Sequence, residues 1–286
     1  FLAGVSTRDV SGALKPILET TFSASCVSNV TKALDAKVRE FHKRALLDEY
    51  QFLFLDGITL KVKTSLKAVK KLVLVAYGIT VFGKKELISF RIASSESENC
   101  WQAFLNDLYS RGLKGENLKL VIIDGCKGLH AALDLVYAYT KRQHCWVHKM
   151  RNVAKYLRKS DEKIVLSEAK EIYKASTKRE AVRIFKRWKN RWQRKYPQAV
   201  NCIEKDLDEL LNFLEIPIKE QYRKLIRKRI RTTNVIERAF REVRRRTRPM
   251  SCFTNQDSVN RIIYAILTRL NNKWKDKPLK EFTQFI

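Results

Sequence analysis

The chain has 286 residues, 58 of them Lys or Arg and 30 Asp or Glu, and 45% are apolar; that is enough apolar material for a real core, which excludes a disordered basic tail. A net charge of +28 on a folded chain of this size is the footprint of a protein that meets a polyanion, most often nucleic acid. The longest apolar stretch, 72–82, is broken by Tyr and Gly and falls far short of the roughly 20 residues that span a bilayer, so no membrane anchor is expected.

Phe1 stands where an initiator Met would, and residues 1–5 read as the middle of a helix, so further sequence upstream is expected. Ser6 opens a helix with a Ser or Thr cap, and Ser25 opens a second in which Val27, Val30, Leu34 and Val38 keep a helical period. Two helices with a tight connection fit a helix-turn-helix that reads DNA through its second helix, and they fit any other helical domain as well. Residues 50–56, 71–78 and 86–93 are β-rich and predict three sequential strands. From Ser95 the pattern becomes a helix with an acidic first turn, carrying Trp101, Phe104, Leu105 and Leu108 and stopping at Gly112. A buried strand over 118–124 ends in Asp124, and a helix over 129–139 and a strand over 143–147 complete the order β-β-β-α-β-α-β. Residues 150 to about 230 read as successive amphipathic helices broken near Pro197 and Pro217. A strongly basic helix then runs from Thr232 to Pro249, followed by one bearing Ile262, Ile263, Ile266, Leu267 and Leu270.

Asp56 ends the apolar run 52–55 and Asp124 ends 120–123, and each is followed by Gly, which lets the backbone turn or approach a ligand closely. A carboxylate where a buried strand surfaces is costly unless something positive compensates it, and a pair of Mg²⁺ ions held by oxygen ligands is one such compensation. Taken singly, each Asp-Gly also reads as a plain turn. A third acid has to arrive from a helix packed beside those strands. Glu237 is the candidate, because Thr233 or Asn234 caps its helix and Ile236, Phe240 and Val243 define the apolar face it borders. The bland alternative is a solvated Glu237 paired with Arg241. Glu242 lies about 140° around the same helix, so both acids cannot point inward.

The segments around Asp56-Gly57, 120–129, Cys145 to Asn152 and 233–238, together with 4–10 and 27–34, resemble the mutator-type transposases of the IS256 group along essentially the whole chain. The resemblance implies an α/β fold with an RNase H-like mixed sheet flanked by helices, an all-helical insertion before the last catalytic helix and an N-terminal helical region. Its implied division is a truncated, helix-turn-helix-like DNA-binding region over 1–48, a first part of the catalytic core over 49–149, the insertion over 150–231, and a last part with the Glu-bearing helix over 232–286. It implies a DDE triad of Asp56, Asp124 and Glu237 that holds two Mg²⁺ ions, with Mn²⁺ as a substitute, and carries out strand cleavage and strand transfer. Cys145, His148 and Asn234 are implied to support that site. Double-stranded DNA at element ends and target is the implied partner, met by a homodimer or larger assembly in a prokaryotic cytoplasm at the nucleoid. A catalytically idle DNA-binding derivative and an RNase H-type nuclease are the competing readings; the presence of all three acids speaks against the first, the helical insertion and basic arms against the second.

Arg238, Arg241, Arg244, Arg245, Arg246 and Arg248 crowd the Glu237 helix and its end, after a further basic run over 223–231. With only Glu237 and Glu242 to offset them, phosphate contact explains the cluster better than a self-repelling solvated face. Six cysteines at 26, 100, 126, 145, 202 and 252 are too scattered for the disulfide framework of a small secreted domain, so reduced thiols in a cytosol are expected. Cys145 and His148 with Cys126 and His130 supply zinc-type ligands, though the spacing is loose for a structural zinc site. Trp188 and Trp192, four apart on one face, read as a core stripe before they read as base-stacking rings.

Overall fold

The computed structural model describes residues 23–63, 67–248 and 252–285. The helix expected from Ser6 and the stop at Pro249 lie outside the described residues. Five strands form one mixed sheet in the order β3-β2-β1-β4-β5. Strand β1 (Tyr50–Lys63), β2 (Ala68–Thr80) and β3 (Lys85–Ala93) are antiparallel neighbours. Strands β4 (Leu120–Ile123) and β5 (Arg142–His144) extend the sheet parallel to β1.

Side chains alternate across a strand, so β1 and β4 each feed both faces. Leu53, Leu55, Val121 and Ile123 enter one core layer with Trp101, Phe104, Leu105 and Leu108 of α3 (Glu98–Ser110) and Leu129, Ala132 and Leu133 of α4 (Lys127–Val136), matching the apolar periods in both segments. Phe52, Phe54, Leu120 and Ile122 point to the opposite face. There they meet the helical block and Ile236, Phe240 and Val243 of the basic helix.

Two short helices precede the sheet, α1 (Ala24–Lys32) and α2 (Leu34–Lys43). The expected single helical period breaks at Ala33, whose N–H bonds back to Val30, and the two ends part company: Val38 is buried while Val30 is 69% exposed. Helix α2 is fixed by a two-pronged pair between Asp35 and Arg261, at 2.6 and 2.9 Å.

The block between β5 and the last helices contains α5 (Trp146–Ala154), α6 (Lys159–Ile172), α7 (Lys178–Trp192), α8 (Pro197–Glu204), α9 (Leu207–Leu211) and α10 (Glu220–Ile230). Pro197 sits in the first turn of α8, where its missing N–H costs nothing. Trp188 is buried and donates Nε1–H to Val165 O at 3.1 Å, and Trp192 donates to Glu168 Oε2 at 2.8 Å. These rings pin α7 to α6, as a core stripe should. The block is tied to β5 by polar bonds: Gln143, fully buried, donates to Leu210 O and accepts from Phe213 N, while Asn212 donates to Arg142 O. Helices α11 (Asn234–Thr247) and α12 (Gln256–Trp274) follow, the latter opened by a reciprocal Asn255 and Ser258 capping box.

Two strand expectations shift. Strand β1 runs on past Asp56 to Lys63 because β2 pairs with it throughout, so Asp56 stands in mid-strand. Residues 145–147, expected in β5, turn instead into α5, since the Trp146 N–H is taken by Arg231 O.

Candidate active site

Asp56 and Asp124 share a face by parity, each two residues beyond an inward aromatic or aliphatic: Phe54 and Ile122. Phe52 pairs with Leu120 and Phe54 with Ile122 in the parallel register; Asp124 is the first residue past the end of β4, near enough for its charge to act on Asp56. Like charges that act on one another at a buried position make ionising both carboxylates costly. Asp56 is 7% exposed, and burial, reinforced by the Asp124 charge, pushes its carboxyl up to about 7. The His148 charge, and then the Gly57 N–H 2.8 Å from Oδ1, favour its ionised form. Asp124 Oδ1 accepts from Cys126 N at 3.0 Å, a local turn in which Gly125 takes φ 91°. The two glycines thus serve different ends: Gly125 turns the chain, whereas Gly57 stays in the strand and makes room.

Glu237 is brought to this face by a staple between two helix starts. Thr233 donates from both N and Oγ1 to the buried Cys145 Sγ, at 3.3 and 3.4 Å, which fixes the beginning of α11 against the beginning of α5. In the first turn of each helix stand Glu237, its fourth residue, and His148, its third, and His148 Nε2 lies 3.5 Å from Glu237 Oε1. Arg151, one turn further on α5, donates to the same oxygen at 2.9 Å. Glu237 is therefore drawn toward α5 instead of pairing with Arg241. The Cys145 thiol beside it, helped by Asp56 and Asp124, raises the His148 imidazole to about 9 against the effect of burial. Burial alone would raise the Cys145 thiol, but His148 and Thr233 outweigh it and bring it below its usual value. Asn234, expected to cap α11 or to support the site, is exposed at the first helical position, and Thr233 occupies the cap.

Glu96 is a fourth acid that the sequence reading assigned only to a helix start. A Cβ placed on Gly57 would lie 3.3 Å from Glu96 Oε1, so that carboxylate reaches across the end of the β1–β4 seam. Burial and then the Asp124 charge hold it above the usual carboxylate range. The signal that could have found it is the close packing on either side: Gly57 facing its carboxylate, and Gly128, where a Cβ would meet Glu96 O at 2.4 Å. Arg151 was also missed, although it is one helical turn beyond His148.

The basic face divides. Arg238, Arg241, Arg244, Arg245 and Arg248 are exposed, and a cavity of about 540 Å³ between α11 and α12 is lined by Arg238, Arg241, Arg245, Arg269 and Lys273. Arg246 is the exception: 4% exposed, it donates to Glu242 Oε2 at 2.6 Å and to Glu242 O at 3.1 Å. Its guanidinium is spent on Glu242, which faces away from Glu237 as the helical period requires. The zinc-type foursome does not assemble, because Cys126 Sγ turns to Glu96 O and His130 lies against His144 and Glu209.

A carboxylate-lined site on a mixed sheet, bordered by an arginine-rich helix, is the class of centre that the fold defines. Residues 1–277 match the family described as Transposase, Mutator family, and the chain belongs to that family. It is 30% identical over 284 residues to the transposase for insertion sequence element IS905 of Lactococcus lactis, covering 99% of this chain and 70% of that protein. It is 35% identical over 277 residues to the transposase for IS406 of Burkholderia multivorans, and 32% identical over 281 residues to the transposase for IS256 in transposon Tn4001 of Staphylococcus aureus, each alignment covering 96% of this chain and 69% of the relative. No helix among the described residues is long and apolar enough to cross a membrane.

Proposed function

We propose that the chain is a DNA transposase of the DDE type, in which Asp56, Asp124 and Glu237 form the catalytic triad on an RNase H-like sheet with the block over 150–231 inserted before the last acid. The strand order β3-β2-β1-β4-β5 with its antiparallel then parallel halves supports that fold. What supports the reading is that the buried Asp56 carboxyl feels the charges of both Asp124, just past the end of β4, and Glu237, whose helix start is fastened to that of α5 by the Thr233–Cys145 staple.

The donor set fits hard divalent cations: oxygen ligands from several elements, one of them with its carboxyl pushed up by burial and then by like-charged neighbours. Asp56, Asp124 and Glu237 would hold two Mg²⁺, or Mn²⁺ in their place, and the ions would polarise the scissile phosphate and ease ionisation of the attacking water or 3′-hydroxyl. The chain's own residues do the rest. His148, positively charged at neutral pH, and Arg151 hold Glu237 Oε1 in place. The exposed arginines of α11 lay a phosphate track along the helix whose first turn bears Glu237. Element ends and target duplex are the partners; joining two ends calls for two or more protomers, in a nucleoid-associated assembly.

The test is strand cleavage and joining with Mg²⁺ on a labelled duplex carrying the element's own end. Asp56→Asn, Asp124→Asn and Glu237→Gln should each abolish both steps while leaving duplex binding within a few-fold of the parent. Wild-type rates in any one would remove that residue from the triad, and equal cleavage of an RNA–DNA hybrid by the parent would favour the nuclease reading.

A further inference from the structure

Behind the acidic face, three side chains from three elements converge on a point. His130 of α4, His144 at the end of β5 and Glu209 of α9 place Nε2, Nε2 and Oε2 within 2.5 to 3.0 Å of one another: 2.5 Å between the rings, 3.0 and 2.9 Å from Glu209 to His130 and His144. Among the described residues this is the group of metal-ligand type whose donor atoms all lie within 4.8 Å of each other. Zn–N bonds are about 2.0–2.1 Å, so two donors on one tetrahedral ion stand about 3.3 Å apart. To admit one, the two rings need to part by about 0.8 Å and each from Glu209 by about 0.3–0.4 Å, a shift within reach of side-chain rotation. We propose that His130, His144 and Glu209 bind a transition-metal dication of the zinc class, separate from the carboxylate site, and that the ion braces the helical block to the end of the sheet.

The surroundings suit that role. His144 is 5% exposed, and its Nδ1, without a hydrogen-bond partner, faces Asp206 Oδ2 at 3.7 Å, the side on which a carboxylate steadies a metal-bound imidazole. Glu209 is ionised: burial would raise its carboxyl, but the two imidazoles prevail and bring it to about 2. An open cavity of about 630 Å³, with Gly125, Lys127 and Asp208 among its lining residues, adjoins the three ligands and leaves a fourth position for water. One competitor is present. Arg142 Nη1 lies 3.3 Å from His130 Nδ1, so that ring carries its proton on Nε2 and offers it to His144. Ion entry moves the proton to Nδ1 as Arg142 turns wholly to Asp134, whose Oδ1 already holds its Nη2 at 2.5 Å. Imidazole nitrogens select zinc-class ions over Mg²⁺, which separates the two sites chemically. The brace would act near the catalytic loop, since a Cβ on Gly125, the residue after Asp124, would stand 3.6 Å from the His144 ring.

The test uses the full chain, stripped with chelator and titrated with Zn²⁺ by calorimetry, then loaded with Co²⁺ and read in the visible. One equivalent per chain and the absorption of a four-coordinate N/O cobalt site are expected. His130→Gln and Glu209→Gln, which keep side-chain bulk, should each weaken Zn²⁺ binding by more than the roughly 10–100-fold that outer partners account for. His144→Ala should do the same, and Asp56→Asn should leave that equivalent in place. Zinc bound equally well by the His130 and Glu209 variants, zinc lost on Asp56→Asn, or no stoichiometric zinc at all would each overturn the assignment.

Discussion

Replacing Asp56 by Asn should make the protein more stable, and by an amount that depends on pH. The folded chain keeps the Asp56 proton up to about pH 7, whereas an Asp in an unfolded chain releases it near 3.9. Between those values the folded state binds the extra proton, so this group's contribution falls as pH rises from about 4 to about 7 and stays low above that. A shift of about three units corresponds to a ceiling of about 4 kcal/mol. Removing the charge also takes from His148 one of the carboxylates that favour its imidazolium, so a net gain of about 2 kcal/mol at pH 8 is expected, shrinking to nothing near pH 4. Asn retains the shape and the oxygen that accepts from Gly57 N. Urea unfolding of both proteins from pH 4 to 8.5 measures the difference directly. Added Mg²⁺ should raise the parent's midpoint and leave the variant's nearly unmoved, because an ion bound only by the folded state stabilises it. Parallel pH profiles, or a variant less stable at pH 8, would refute the account of two carboxylates crowded together at the seam of β1 and β4.

Other outcomes follow from the same geometry. Arg241→Ala with Arg244→Ala should weaken binding on all duplex sequences alike and lower the slope of log K against log salt by about 2, roughly 1 per lost phosphate contact, in anisotropy titrations; Arg246→Ala should leave that slope unchanged, since its buried guanidinium serves Glu242. His148→Gln should flatten stability above neutral pH. The raised imidazole contributes stability that is full below about 6.5 and disappears as pH passes about 9, so unfolding midpoints between pH 7 and 10 decide it. Trp188→Ala removes a buried ring and its bond to Val165 O and should cost about 3–5 kcal/mol in urea unfolding, with the salt dependence of DNA binding intact.

Much of this architecture was legible in residue order. The strands stood out because runs such as 52–55 and 120–123 are apolar on both faces, and parity alone then turns Asp56 and Asp124 the same way. What the sequence could not supply was that β4 lies directly beside β1, in the register that pairs Phe52 with Leu120. Glu237 was singled out by the apolar face it borders, yet its partners lie 86 and 89 positions away, on a helix that begins where a strand was expected. Glu96 looked like a helix-start acid because a dipole argument already explained it. Arg246 looked like its neighbours until the helix had a definite inner side. His130 was weighed with the cysteines on residue type alone; its real companions, His144 and Glu209, share no local pattern with it.

Strand β5 is three residues long and lies at the margin of the sheet, where unpaired amides ordinarily invite another chain. Here Gln143 and Asn212 act as adaptors, converting an exposed ladder into a docking rail for α9 and the turn after it. Splicing the polypeptide directly from 149 to 232 would therefore do more than shorten it. The rail would be laid bare, and intermolecular β-pairing would become the predictable fate of the trimmed molecule.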